Sequence, residues 1–117
     1  MSGAVSYYGG LAAEDQVATY YQRIGCDTRH KRWRGKGGEI DLVLSDDDGL
    51  IFVEVKQSRD FARAAERLSR TQMKRIYATA SEYLGQMPMG QDTQARFDVA
   101  LVNQHGQINI IENAFGH

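Results

Sequence analysis

The side chains with the clearest chemical potential are two carboxylates and one ammonium group on neighbouring apolar segments. Asp41 lies in residues 38–45, and Glu54 and Lys56 lie in residues 50–56, with an Asp-Gly turn between the segments. Two apolar segments of strand length around such a turn are typical of a β-hairpin. The pair of carboxylates suits a hard divalent cation, with the lysine placed beside it.

The alternation of residues predicts the register of this hairpin. A loop with an even number of residues places Asp41 opposite either Glu54 or Lys56, so that all three share one face. The other face is then wholly apolar and is predicted to join the core. It comprises Ile40, Leu42, Leu44, Ile51, Val53 and Val55.

Two interpretations of the charged face remain open, because burying a charge is costly unless the charge is paired or binds a metal. The face could be an exposed sheet surface with a cross-strand salt bridge. It could instead be an acidic pocket for a divalent cation, flanked by Val43 and Phe52.

Composition limits the class of protein. The 117 residues predict one domain, residues 1–117, and the net charge of −1 excludes a globally basic nucleic-acid binder. The one cysteine, Cys26, excludes an internal disulfide and a multi-cysteine metal site. No apolar segment resembles a signal peptide or a membrane span, so we expect a cytoplasmic protein with no membrane partner.

A helix is predicted at about residues 11–24, after Gly9-Gly10. Its buried stripe is predicted to comprise Leu11, Val17, Ala18, Tyr21 and Ile24. Glu14 falls in the middle of this stripe, where a carboxylate must be paired, protonated or coordinating. A position at the edge of the stripe with a structural salt bridge is the alternative.

The next predicted strand, residues 26–33, opens the most basic part of the chain. Its cations surround Trp33 and comprise Arg29, Lys31, Arg32, Arg34 and Lys36. Basic residues around an aromatic ring suit contacts with phosphates and bases. A charged edge strand that discourages aggregation would look the same.

The second half of the chain predicts two helices and two strands. A short helix is predicted at about residues 60–68, and a capping box, Ser69 with Gln72, opens a longer helix at about residues 70–86. The longer helix is predicted to bury Met73, Ile76, Tyr77, Ala80 and Leu84. A loop at residues 85–94 and strands at 96–102 and 107–111 complete an α-β-β-β-α-β-β order.

Several other chemistries find no support in the sequence. The three histidines are scattered without metal-ligand spacing, and no Gly-x-Ser-x-Gly elbow or dinucleotide fingerprint is present. Carboxylates with a lysine are the remaining candidate site.

The order Asp41, then Glu54-Val55-Lys56, resembles the signature of the PD-(D/E)XK restriction-endonuclease-like superfamily. Within it, the chain is similar to the YraN-like family, which is itself similar in fold to archaeal Holliday-junction resolvases. The resemblance runs from about residue 9 to residue 102. It rests on Glu14, Gly38-Glu39-Ile40-Asp41, Phe52-Val53-Glu54-Val55-Lys56, Arg75-Ile76 with Ala80 and Tyr83-Leu84, and Arg96-Phe97-Asp98-Val99.

This resemblance implies a mixed α/β restriction-endonuclease-like fold, a central mixed sheet flanked by helices, and metal-dependent hydrolysis of nucleic-acid phosphodiesters. Mg²⁺ or Mn²⁺ would bind to Asp41 and Glu54, with the Val55 carbonyl and with Glu14 directly or through water. Lys56 would orient or help deprotonate the attacking water. The candidate phosphate contacts are Arg32, Arg34, Lys36, Gln72 and Arg75.

The expected substrate is DNA, including branched or junction DNA in repair or recombination, and cutting two strands would favour a homodimer. The chain departs from the family pattern in lacking an asparagine near the basic strand and in carrying Gln72 where a lysine is expected. Two other classes stay open: a non-catalytic module that binds nucleic acid or a partner protein, and a structural subunit whose carboxylates only form salt bridges.

Overall fold

The computed structural model describes residues 2–114, and the side chains from residue 12 onwards. The chain forms a mixed α/β fold in the predicted order. Its elements are α1 (Ser2–Arg23), β1 (Asp27–Arg34), β2 (Glu39–Ser45), β3 (Leu50–Gln57), α2 (Phe61–Glu66), α3 (Arg70–Leu84), a 3₁₀ turn (Gly90–Asp92), β4 (Ala95–Val102) and β5 (Ile108–Ile111).

The five strands form one mixed sheet in the order β1-β2-β3-β4-β5. Only the β3–β4 pair is parallel, and α2 and α3 supply the long crossover that parallel neighbours need. The other three pairs are antiparallel and are joined by short connections.

The β2–β3 register matches the first of the two predicted alternatives. Leu42 pairs with Val53 and Val43 pairs with Phe52, so the same register places Asp41 opposite Glu54. The hydrophobic pattern was sufficient here because a one-residue slip would turn every apolar side chain to the wrong face.

Both faces of the sheet are covered. Val17 and Tyr21 of α1 pack on Leu42 and Val53, and on the opposite face α3 packs on Val43 and Phe52. Of the two interpretations of the charged face, the exposed sheet surface does not hold for Glu54. The helix α3 covers that face, and Glu54 keeps only 7% of its surface exposed.

Three details of the predicted helix and core need correction. Helix α1 begins at Ser2 and runs through Gly9-Gly10, because glycine weakens a helix without removing a backbone donor as proline does. Ile24 lies beyond the last turn and is 57% exposed. Ile40 packs with Val43 on the α3 side, because the β2–β3 pairing stops at Leu42 and no longer fixes the alternation there. The predicted burial of Leu11 stays a prediction, since its side chain lies outside the described residues.

The buried stripe of α3 is also rotated from its predicted position. Thr79 and Tyr83 are buried, while Met73, Tyr77 and Leu84 are only partly covered. Tyr83 packs edge-to-face against Trp33 and Phe52, so aromatic packing over β1 and β3 sets the rotation of the helix.

Gly49 is required where the hairpin turn meets the entrance to β4. The backbone carbonyl of Gln94 lies against its Cα, in the space that a Cβ atom would occupy, and accepts the N–H of Leu50 at 2.9 Å. Gly49 has a φ of 153°, which side-chain-bearing residues rarely adopt.

A buried carboxylate joins α1 to β4. Asp98 is 1% exposed and accepts the Tyr21 hydroxyl at 2.8 Å, the Arg96 guanidinium at 3.1 Å and the Asn113 N–H at 3.0 Å. Burial, followed by the hydrogen bond to Asp98, raises the pKa of Tyr21 well above its ordinary value. The Tyr21 hydroxyl is therefore a fixed donor to Asp98.

Tyr21→Phe is expected to lower the free energy of unfolding by about 1–3 kcal/mol, because a buried carboxylate loses one of its donors. Urea denaturation followed by far-UV circular dichroism measures the change. Tyr20→Phe is the matched control, since Tyr20 is the neighbouring residue and is 40% exposed. Equal stability of the two variants would contradict this account of the Asp98 network.

Candidate metal and phosphate site

An open cleft of about 380 Å³ lies where β2 and β3 meet α1 and α3. It brings together six side chains that the sequence singled out, together with Val55, from four different elements. The candidate residues that line it are Glu14, Asp41, Glu54, Val55, Lys56, Gln72 and Arg75, and Gly37, Gly38, Glu39 and Ile76 complete the wall.

Asp41 is oriented by the neighbouring strand. Its Oδ2 accepts the backbone N–H of Val55 at 2.8 Å. The β2–β3 pairing ends at Leu42 with Val53, and the Asp41 side chain accepts the N–H two residues farther along β3. This bond holds the carboxylate of Asp41 next to β3, where it contacts Glu54.

Glu54 is the most deeply placed carboxylate of the cleft. Its Oε2 accepts the side-chain amide of Gln72 at 2.8 Å and lies 3.3 Å from the Lys56 ammonium nitrogen. Burial raises the pKa of Glu54 to about 8, with further increases from its hydrogen bond to Asp41 and from the charge of Asp41. Lys56 opposes this increase without cancelling it.

Lys56 lies two residues after Glu54, on the same face of β3. Its side chain is 17% exposed, so the ammonium group is partly desolvated and close to both the carboxylates and the opening of the cleft. The predicted convergence of a lysine with two carboxylates is therefore present in the structure, while their role in chemistry stays a prediction.

Glu14 reaches the same cleft from α1, at the margin of the buried stripe. Arg32 of β1 donates to both of its oxygens, from Nε at 2.9 Å and from Nη2 at 3.4 Å. The side chain of Glu14 is 15% exposed. Both sequence interpretations therefore apply in part, because Glu14 lines the cleft and also forms a salt bridge.

The predicted phosphate contacts are distributed unevenly. Arg34 pairs with Glu39 at 3.2 Å, and the backbone N–H of Lys36 donates to Glu82 at 2.8 Å, with Lys36 itself exposed and outside the cleft wall. Arg75 lines the cleft, and no group among residues 12–114 forms an ion pair or side-chain hydrogen bond with its guanidinium. Arg75 is therefore the candidate best placed to contact an anion.

Gln72 has a role that the sequence did not predict. The capping-box pattern assigns its side chain to the start of α3, and Ser69 does cap the helix by accepting the Gln72 N–H at 3.1 Å. The Gln72 side chain, however, donates to Glu54. Its spacing from Ser69 carried no information about a partner on β3.

The cleft offers oxygen ligands of the kind that a hard divalent cation prefers, but too few of them to fill its coordination shell. Asp41 and Glu54 are in contact and both are oxygen donors, and Mg²⁺ is commonly held by one or two carboxylates with the remaining positions filled by water. Within the described part of the chain, no three histidine, cysteine or acidic side chains are close enough to hold a metal together. Glu14, the third acidic candidate, is paired with Arg32 instead.

The raised pKa of Glu54 gives the metal-free protein a specific pH dependence. The folded state keeps a proton on Glu54 that the unfolded chain releases, so stability should fall as the pH rises from about 4.5 to about 8. Glu54→Gln should remove most of this loss, which is at most about 5 kcal/mol for a pKa raised from 4.5 to about 8. Urea denaturation in EDTA at several pH values measures it.

Glu39→Gln is the control for this experiment, because Glu39 lines the same cleft but its side chain is 34% exposed. It should keep the wild-type slope. A wild-type stability that is flat or rises across the window would contradict the buried, protonated state of Glu54.

In the described residues, no helix is long and apolar enough to span a membrane. Residues 13–102, which include the whole cleft wall, match the model of Uncharacterised protein family UPF0102. A UPF0102 protein of Cereibacter sphaeroides strain ATCC 17029 is 56% identical over 98% of this chain and 98% of its own length. A UPF0102 protein of Ruegeria pomeroyi is 54% identical over 98% and 94%, and one of Dinoroseobacter shibae is 42% identical over 95% and 83%. The chain therefore belongs to the UPF0102 family.

Proposed function

We propose that this protein is a metal-dependent nuclease of the restriction-endonuclease-like type, which hydrolyses phosphodiester bonds in nucleic acid, with DNA as the expected substrate. The observation that carries the proposal is the convergence of Asp41, Glu54 and Lys56 in one open cleft. Two carboxylates in contact, beside a partly buried ammonium group, form an arrangement with little value for stability alone.

Asp41 and Glu54 would hold Mg²⁺ or Mn²⁺, with the Val55 carbonyl as a further oxygen donor. The bound ion would polarise the scissile phosphate and lower the pKa of a water molecule. The protein's own contribution is to fix the ligands, because Val55 N–H orients Asp41 and Gln72 orients Glu54.

Lys56 is placed to act on the water and on the developing charge. Its ammonium group lies 3.3 Å from Glu54, so it can donate a hydrogen bond to a water held near the carboxylates. The same positive charge would stabilise the extra negative charge that the phosphate acquires in the transition state. Arg75, on the opposite wall, would bind a neighbouring phosphate through its guanidinium.

One cleft would cut one strand, so cutting both strands of a duplex would require two clefts facing opposite strands. A symmetric homodimer would supply them, and we include it in the proposal.

A second candidate is a non-catalytic module that binds nucleic acid or a partner protein and keeps the nuclease fold. The bonding of Glu54 favours it. One of its oxygens already has Gln72 and Lys56 as partners, and a pKa of about 8 leaves it largely protonated at neutral pH. Such a site can be stable without a metal.

Divalent ions should stabilise the protein if the cleft binds them. A ligand present at roughly a hundredfold above its Kd adds about 2.7 kcal/mol to the free energy of unfolding. We expect Mg²⁺ to raise the Tm of the wild type and to leave that of Asp41→Asn unchanged, as measured by differential scanning fluorimetry.

Asp15→Asn is the matched control, because Asp15 is a 68% exposed carboxylate on α1 outside the cleft. It should respond to Mg²⁺ as the wild type does. An equal Mg²⁺ response in Asp41→Asn would exclude the cleft as the binding site.

Cleavage should depend on both the metal and Lys56. We expect at least one of four labelled DNA substrates to be cut in Mg²⁺ or Mn²⁺ and to stay intact in EDTA. The substrates are linear, single-stranded, flapped and four-way-junction DNA. Asp41→Asn and Lys56→Met should each lower the rate by about 100-fold or more, because each removes a group that acts in the transition state.

Lys31→Met is the control for Lys56→Met, because Lys31 is half exposed and pairs with Asp15 away from the cleft. It should retain most of the activity. If no substrate is cut but DNA still binds in a salt-dependent manner, the nuclease proposal fails and the binding-module proposal takes its place.

A further inference from the structure

The ion pair between Arg32 and Glu14 connects a carboxylate of the cleft to a residue outside the cleft wall. It joins an arginine of the edge strand β1 to a carboxylate of α1 that lines the same cavity as Asp41 and Glu54. Both oxygens of Glu14 receive a donor from Arg32. The Arg32 side chain is 42% exposed, so an anion from solution can reach it.

The backbone of Arg32 departs from ordinary strand geometry. Its φ is 53°, in the left-handed region that residues other than glycine and asparagine rarely adopt. The pairs on either side, Lys31 with Leu42 and Trp33 with Ile40, place it opposite Asp41 in the register. Strained backbone of this kind clusters at functional sites.

The pair is not needed to attach β1 to α1. The adjacent residues Lys31 and Asp15 already form an ion pair at 2.9 Å between the same two elements, on a surface that is not part of the cleft. Arg32 therefore neutralises Glu14 next to a pair that already joins the two elements. Glu14 forms no three-carboxylate group with Asp41 and Glu54 among residues 12–114.

We propose that Arg32 is a positioning residue: its ion pair keeps the Glu14 carboxylate from binding the metal until nucleic acid binds. A guanidinium pairs with a carboxylate and with a phosphate in the same forked geometry, so a backbone phosphate can take the place of Glu14. The released carboxylate then turns to the metal that Asp41 and Glu54 hold. Metal binding and nucleic-acid binding consequently favour each other, and this coupling rests on the proposed function.

The first test measures Mn²⁺ affinity without nucleic acid, from the electron paramagnetic resonance signal of the free ion. Arg32→Asn removes the guanidinium and keeps a residue that tolerates the left-handed conformation. It should bind Mn²⁺ about tenfold more tightly than the wild type. Adding Glu14→Gln to this variant should abolish the gain, and Glu14→Gln alone should bind Mn²⁺ no more tightly than the wild type, because it removes the carboxylate that offsets the charge of Arg32.

Lys31→Asn is the matched control, because it removes one positive charge from the adjacent residue of the same strand and breaks a pair to the same helix. It measures the general effect of losing a nearby charge. An Arg32→Asn affinity equal to that of Lys31→Asn, or a gain that persists in the double variant, would overturn the proposal.

The second test measures nucleic-acid binding without metal, by the fluorescence anisotropy of labelled single-stranded and duplex DNA in EDTA. Glu14→Gln removes the carboxylate that competes with a phosphate for Arg32. Nucleic acid should therefore bind about fivefold more tightly. The double variant with Arg32→Asn should lose this gain. Asp15→Asn, which removes the neighbouring carboxylate, is the control, and an equal gain in it would count against the exchange.

These results separate the two proposals. If the wild type binds Mn²⁺ and Arg32→Asn binds it no more tightly, the exchange is wrong and the proposed metal site stands. If every variant folds, as its Tm shows, and none binds Mn²⁺, the proposed metal-dependent function fails first and the exchange fails with it.

Discussion

The contact between the carboxyl groups of Asp41 and Glu54 is the constraint on which the cleft depends. Two negative charges in contact under a helix would be unfavourable, so Glu54 retains its proton up to a pKa of about 8 and donors from several directions surround the pair. The Val55 amide, the Lys56 ammonium and the Gln72 amide each satisfy one of the two side chains. The β2–β3 register and the position of the first turn of α3 are both required for this arrangement.

The basic strand β1 is less available to a polyanion than its composition indicates. Three of its cations already have carboxylate partners: Lys31 with Asp15, Arg32 with Glu14, and Arg34 with Glu39. These carboxylates neutralise most of the positive charge of the strand. Any phosphate that approaches must therefore compete with them. This pairing is consistent with a net charge of −1 in a chain that contains such a basic segment.

The sequence was most informative where one periodic pattern decided the outcome. Alternation along residues 40–55 reduced the hairpin to two registers, and the structure has the one in which Leu42 pairs with Val53. Alternation gave the wrong face for Ile40, where pairing with β3 stops. Helical periodicity did not predict the burial of Tyr83, whose position depends on aromatic neighbours from two strands. The contacts of Gln72 and Arg32 depend on how distant elements meet, and no local spacing contains that information.

The sheet combines local and distant pairings, and this has a consequence for the order of assembly. The β2–β3 hairpin joins residues that are near in sequence, whereas every β3–β4 pair, such as Leu50 with Ala95, is 45 positions apart. Local hairpins close quickly and long-range parallel pairs close slowly. We therefore expect Asp41 and Glu54 to meet while still hydrated, so that the chain does not pay the desolvation cost of their contact until α3 docks.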